Sequence, residues 1–132
     1  MYRRGDKLVL LFIGVVACLL ASLASGADKP PIDPIKWEQL KETALEYGRY
    51  NGRFVTCDVK PPYSFKVGYL KYARSQGASD KHLEILARVF DEGQGRVRSL
   101  QKGFSPAECK QKLESDEVKK ILKTVEDWNK LS

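Results

Sequence analysis

From residue 35 to the C-terminus, apolar side chains recur at spacings of three and four. No stretch alternates apolar with polar well enough to compete as a strand. The pattern predicts five helices. The first spans about 35–54, with Trp37, Leu40, Ala44 and Tyr47 on one stripe, Asp33 at its cap position and Pro34 in its first turn. Gly48 and Gly52 fall inside it, and each costs about 1 kcal/mol against alanine in a helix interior. Two outcomes are open. The helix ends early at the pair, or the pair forms a smooth notch that a second helix approaches closely, with Gly93 facing it.

A turn over residues 58–62 (DVKPP) separates this helix from the second, over about 63–76, in which Phe65, Tyr69 and Tyr72 form the buried stripe and Gly77 is the stop. Ser79 caps a third helix reaching about residue 101, with Leu83, Leu86, Val89, Phe90, Val97 and Leu100 at helical spacing. Gly93 and Gly95 inside it are expected to kink or break it. Ser105-Pro106-Ala107-Glu108 reads as a reciprocal cap opening a short fourth helix, with Cys109 in its first turn and Leu113 on its face. Ser115 restarts the chain as a fifth helix, whose Val118, Ile121, Leu122, Val125 and Trp128 make one apolar face to about 131. Asp116 with Lys120, and Glu126 with Lys130, are spaced for ion pairs on its wet side. Trp37 and Trp128 are both expected in one core.

The N-terminus follows a different pattern. Arg3, Arg4 and Lys7 precede an apolar run over 8–20 and a stretch of small residues to Ala27, the order of a secretory signal peptide. Residues 1–27 are therefore expected to be removed on export, 28–34 (DKPPIDP) to be a Pro-rich linker, and 35–132 to be the helical domain. Two alternatives are carried. Val15-Val16-Ala17-Cys18 fits a loose lipoprotein signal that would lipidate Cys18, and Leu8 to Ala24, 17 residues, is at the short end of an uncleaved membrane anchor.

Removing residues 1–27 takes away Arg3, Arg4, Lys7 and Asp6 and lowers the net charge from +6 to +4. It also leaves two cysteines, Cys57 and Cys109. An even count in a small exported chain reads as one disulfide, with two buried free thiols as the alternative. The bridge would join the end of the first helix to the start of the fourth.

Candidate chemistry is sparse. His82 is the only histidine, so neither a multi-histidine metal site nor more than one serine–histidine pairing can be built, and no serine sits in a nucleophile-elbow context. A solvated helix start is the expected place of His82. Gly93-Gln94-Gly95 lacks the strand and lysine of a phosphate loop and reads as a helix irregularity. Tyr63, Phe65, Tyr69 and Tyr72 interleaved with Lys66, Lys71 and Arg74 resemble a nucleic-acid face only superficially, because 65, 69 and 72 share one helix stripe. Gly48 and Gly52 match a membrane helix-dimer spacing but stand among Arg49, Asn51 and Arg53, which excludes a span.

Leu45-Glu46-Tyr47-Gly48, Cys57 nine residues after that glycine, Phe90-x-x-Gly93 and the Ser105-Pro106-Ala107 element together resemble a family of small exported two-cysteine helical proteins of alphaproteobacteria. In that family's pattern the second cysteine precedes the Ser/Thr-Pro step, whereas Cys109 follows it here. The resemblance implies an architecture and no activity. A weaker likeness, in size and in the span of the bridge, is to the HdeA-type periplasmic acid-stress chaperones.

The expectation is thus an all-α bundle of four to five helices with one disulfide, Cys57–Cys109, and a helix-packing notch at Gly48, Gly52 and Gly93. No catalytic residue, metal or cofactor is expected. The function expected is non-catalytic binding of an envelope protein in the periplasm or outside the cell. Nucleic acid is not an expected partner, and membrane contact is expected only through a lipidated Cys18 or an uncleaved signal. The alternative is an acid- or stress-activated chaperone of the HdeA type.

Overall fold

The structure, a computed structural model, describes residues 32–100 and 103–132, the side chains of 99 and 100 excepted. The expected signal peptide, residues 1–27 with Cys18, the expected linker as far as residue 31, the side chain of Leu100, and Gln101 and Lys102 lie outside the described residues. Five helices follow one another, with no strand among the described residues: α1 Pro34–Thr56, α2 Phe65–Ser75, α3 Asp80–Leu100, α4 Pro106–Leu113 and α5 Asp116–Asn129. The fold is all-α with one disulfide, Cys57–Cys109.

Serine hydroxyls begin four of the five. Ser64 accepts from the Val67 amide, Ser105 from that of Glu108 and Ser115 from that of Val118, each at 3.2 Å, and Ser79 from that of His82 at 3.3 Å. Each satisfies one of the amides that a helix start leaves without a partner. α2 starts two residues later than the apolar pattern predicts because Ser64 supplies the cap, leaving Tyr63 outside. α1 departs from expectation at both ends. Asp33 occupies the cap position, but its carboxylate makes no capping hydrogen bond, and Pro34 carries the start. At the other end α1 continues to Thr56, because Asp58 adopts a left-handed φ of 53°. The Val59 amide then reaches the Phe54 carbonyl at 2.9 Å and the Asp58 amide reaches that of Val55 at 3.1 Å. This paired closure satisfies the last carbonyls and folds Val59 back over Phe54.

The helices bury one core. Leu40, Ala44, Tyr47, Tyr50 and Phe54 come from α1, Phe65, Tyr69 and Ala73 from α2, Leu86 and Phe90 from α3, and Val118 and Val125 from α5. Aromatic rings dominate it: Trp128 lies 4.5 Å from Tyr47 and 4.6 Å from Tyr72, and Phe54 lies 5.6 Å from Phe65. The buried Tyr69 hydroxyl donates to the Leu40 carbonyl, so the one polar atom of that ring is satisfied inside the core. Trp128 belongs to this cluster, while Trp37 packs at its edge against His82.

α1 packs most extensively on α3, and α2 on α5. The first contact is backbone against backbone. A Cβ at Gly48 would lie 2.1 Å from the Phe90 carbonyl oxygen, and one at Gly93 would lie 2.3 Å from that of Leu45. Gly52 continues the seam, where a Cβ would meet the Gln94 carbonyl and the Val97 side chain at 2.9 Å. Asn51 donates to Gln94 beside it, at 2.8 Å. Neither helix breaks. α1 runs through its glycine pair, and α3 runs unbroken through Gly93 and Gly95, contrary to the irregularity expected there. The intrinsic cost of the glycines is offset by the close approach they permit, except at Gly95, which meets nothing within 4 Å.

These two environments predict opposite effects of the same substitution. Gly48→Ala forces the seam apart at the cost of overpacking, roughly 1–3 kcal/mol, and should lower Tm by roughly 5–15 °C in a domain of this size. Gly95→Ala adds helix propensity with no clash and should raise Tm by about 4–8 °C. Thermal unfolding followed by circular dichroism reads both.

Candidate functional site

The residues singled out from the sequence fall into separate places. His82 is not a solvated helix start. Its ring is half-buried against Trp37, with centroids 4.9 Å apart, and its Nδ1 accepts from the Ser79 amide at 3.1 Å. Ser79 Oγ stands 2.9 Å from the same nitrogen and accepts from the His82 amide. Serine and histidine thus cap α3 reciprocally, with imidazole in the role that glutamate or glutamine usually takes. Because a backbone N–H can only donate, Nδ1 is the acceptor and the ring proton sits on Nε2. The hydroxyl and the ring are committed to holding the helix start. Replacing His82 with Ala should therefore lower Tm by about 4–8 °C, the effect of losing about 1 kcal/mol of capping. His82→Gln, which preserves an acceptor at that position, should recover most of the loss.

The aromatic and basic residues of α2 do not form a binding face. Phe65 and Tyr69 are core, Tyr72 stacks on Trp128, and only Tyr63 is exposed. Lys66 pairs with Asp91 at 2.9 Å, Arg74 with Asp80 at 3.0 Å, and Lys71 donates to the Asn129 carbonyl at 3.0 Å. Arg96 pairs with Glu92. These four cations are thus engaged within the chain. On α5, Glu126 pairs with Lys130 at 3.4 Å as its spacing suggested, while Asp116 reaches Lys119 instead of Lys120.

Among the described residues, no three His, Cys, Asp or Glu side chains gather as metal ligands, and no aspartate or glutamate is buried. On the surface, the hydrogen bond to Asp127 raises Lys123 above the ordinary lysine value; the buried titratable groups that the fold perturbs are tyrosines. Burial, followed by a hydrogen bond from its hydroxyl to Glu117, pushes Tyr50 up to about 12. Burial likewise raises Tyr47 and Tyr69 above the ordinary tyrosine value of 10.0. A raised folded-state value means that the native state holds its protons above pH 10 while the unfolded chain releases them. Stability is therefore full below pH 10 and falls as pH rises towards 12, by at most about 1.4 kcal/mol per pH unit for each tyrosine. Tyrosinate absorbance should rise together with loss of helix in an alkaline titration, and Tyr50→Phe should flatten the stability profile in that window.

The described surface also carries an apolar depression at the disulfide end of the bundle. The closure of α1 places Val59 over Phe54, and the disulfide brings α4 alongside. Between them lies a cleft of about 500 Å³, lined by Phe54, Val59, Pro106, Cys109 and Leu113, with Lys110 and Glu114 on its rim. Across Phe54 and Val59 a second depression of about 380 Å³ is bounded by Val55, Asp58, Lys60 and Pro61. Phe54 forms the floor at 4% exposure, whereas Val55 and Val59 stand 40% and 45% exposed. Sequence reasoning missed this feature. Val59 reads as one apolar residue in a Lys/Pro turn, and only the left-handed Asp58 turns it into a wall.

In comparisons with known proteins, no family model, no curated protein and no solved structure matches the chain.

Proposed function

We propose that this is a non-catalytic exported protein, periplasmic or secreted, that acts by binding an envelope protein at the cleft between α1 and α4. The observation that carries the reading is the pair of exposed valines, Val55 and Val59, beside an apolar cleft whose rim carries Asp58, Lys60, Lys110 and Glu114. Solvent-exposed apolar clusters rimmed by polar residues are a common form of protein interaction site. The rim's two cations and two carboxylates form no ion pair among the described residues, and they fit a partner helix that presents an apolar side chain flanked by charges of both signs. Export is supported by the Cys57–Cys109 disulfide, since such bonds persist in oxidising compartments.

The rival reading, an acid-activated chaperone, requires carboxylates whose protonation loosens the bundle. Of the described ones only Glu126 is even half-buried, and the rest are exposed. Protonating exposed ion pairs costs little stability, which favours the binding reading.

A photo-crosslinking side chain at position 59 should capture one dominant protein in the native compartment, and the same group at position 84 on α3 should not. With that protein purified, Val59→Asp should weaken binding at least about tenfold, equivalent to about 1.4 kcal/mol, while Glu84→Ala leaves it unchanged. Equal capture from both positions would remove the cleft as the site. A broad set of captured proteins that grows on acidification, with dye-detected apolar exposure at about pH 2–3, would favour the chaperone instead.

A further inference from the structure

We infer that α4 is a redox-released latch: the Cys57–Cys109 disulfide holds it against the end of α1 as one wall of the cleft, and reduction frees it without unfolding the rest of the bundle. The inference stands on packing. Its bearing on partner binding rests on the reading above.

The distribution of burial carries it. Every fully buried apolar side chain among the described residues lies at or before Phe90, or at Val118 and Val125. α4 contributes none. Its attachments are Leu113, half-buried against the core, the disulfide in its first turn, and a modest contact with α1. Burying one leucine in part restrains a helix less than a fully buried side chain does. An eight-residue helix is itself too short to persist without support. The Ser105 cap and Pro106 organise its start but do not tie it to α1. The covalent bond is therefore the dominant restraint on α4's position.

The rest of the bundle is held by contacts that do not pass through α4. These are the glycine seam between α1 and α3, the aromatic cluster of α1, α2 and α5, and the Tyr50–Glu117 bond, which anchors the start of α5 to α1 independently. Freeing α4 leaves each in place. It uncovers Phe54 and Leu113 and turns the cleft into an open apolar face.

Both cysteines are half-buried and Cys109 lines the cleft, so the bridge is not sealed in the core. The chemistry is thiol–disulfide exchange with a dithiol. Its thiolate attacks one sulfur of the bridge, forming a mixed disulfide and releasing the other cysteine as a thiol. The second thiol of the reagent then displaces the first cysteine and leaves as its own disulfide. Two electrons and two protons pass to Cys57 and Cys109. Reoxidation reverses the exchange and reseats α4.

The test compares protein purified from its own compartment, oxidised and after reduction with dithiothreitol, at about 15 °C, near the usual stability maximum of small domains. Hydrogen exchange should accelerate on the order of 100-fold at the amides of residues 109–114, while those of 44–52 and 86–94 keep their protection. Near-ultraviolet circular dichroism from the Trp128 cluster should persist, and binding of an apolar dye should rise. Unchanged exchange in α4 would overturn the latch by showing that its own packing holds it. Uniform acceleration with loss of the aromatic signal, both in this protein and in a Gly95→Ala variant, would overturn it by showing that the bundle needs the bridge. Repeating the reduction in a Gly95→Ala background, which stabilises α3 away from the cleft, separates that dependence from a merely narrow stability margin. There, persistent global unfolding still overturns the latch, and selective release of α4 supports it. If α4 is released but affinity for the crosslinked partner does not change, the latch stands and its link to binding falls.

Discussion

The arrangement of this bundle depends on how closely the backbones of α1 and α3 approach. Gly48 rests on the carbonyl of Phe90 and Gly93 on that of Leu45, so each helix fills the space that the other's missing side chain leaves open. Side chains on adjoining positions are then turned to α2 and α5. Tyr47 and Phe54 meet Phe65, and Tyr47 meets Trp128. A wider seam would lift those rings off their partners. Protein interiors are packed densely enough that such a shift would be felt throughout the aromatic cluster.

Around that seam the chain spends its polar groups on placement. Serines begin four helices, His82 completes the cap of α3, and the Tyr69 and Tyr50 hydroxyls tie α2 and α5 to α1. These bonds account for the groups that would otherwise have drawn attention as chemistry. The lone histidine is a capping residue, and the tyrosine stripe is core. The α2 cations are paired with neighbouring helices. Exposed ion pairs of that kind contribute little stability individually, but they reduce the free positive charge on the surface.

The disulfide end is built differently from the rest. The core is shared by α1, α2, α3 and α5, whereas α4 buries no residue fully and is bonded through Cys109 to Cys57, the residue that follows α1. An apolar cleft of about 500 Å³ lies at this junction, bordered by Phe54, Val59 and Leu113. A segment with little burial, joined by one bond to a well-packed unit, is where local opening costs least. A disulfide, a cleft and a weakly packed helix therefore meet in one place, the end at which binding is proposed.

Much of the helical plan was legible in the residues themselves. A period of three to four in the apolar positions, serine caps at 79, 105 and 115, and the stop at Gly77 are local signals, because capping and amphipathicity act within a turn or two. The pairing of Cys57 with Cys109 was legible once Cys18 was set aside with the expected signal peptide, which leaves two of the three cysteines. What the sequence could not decide was anything requiring knowledge of the neighbour across the gap. Whether Gly48, Gly52 and Gly93 break their helices or join them depends on whether another backbone comes near enough to repay the lost propensity, and Gly95 looks the same in sequence yet meets nothing. The ring of His82 finds Trp37 forty-five residues away, and Val59 becomes a wall only because Asp58 turns left-handed above Phe54. Local propensity determined the elements. Long-range packing alone decided which of the residues between and within them became seam, cap or cleft.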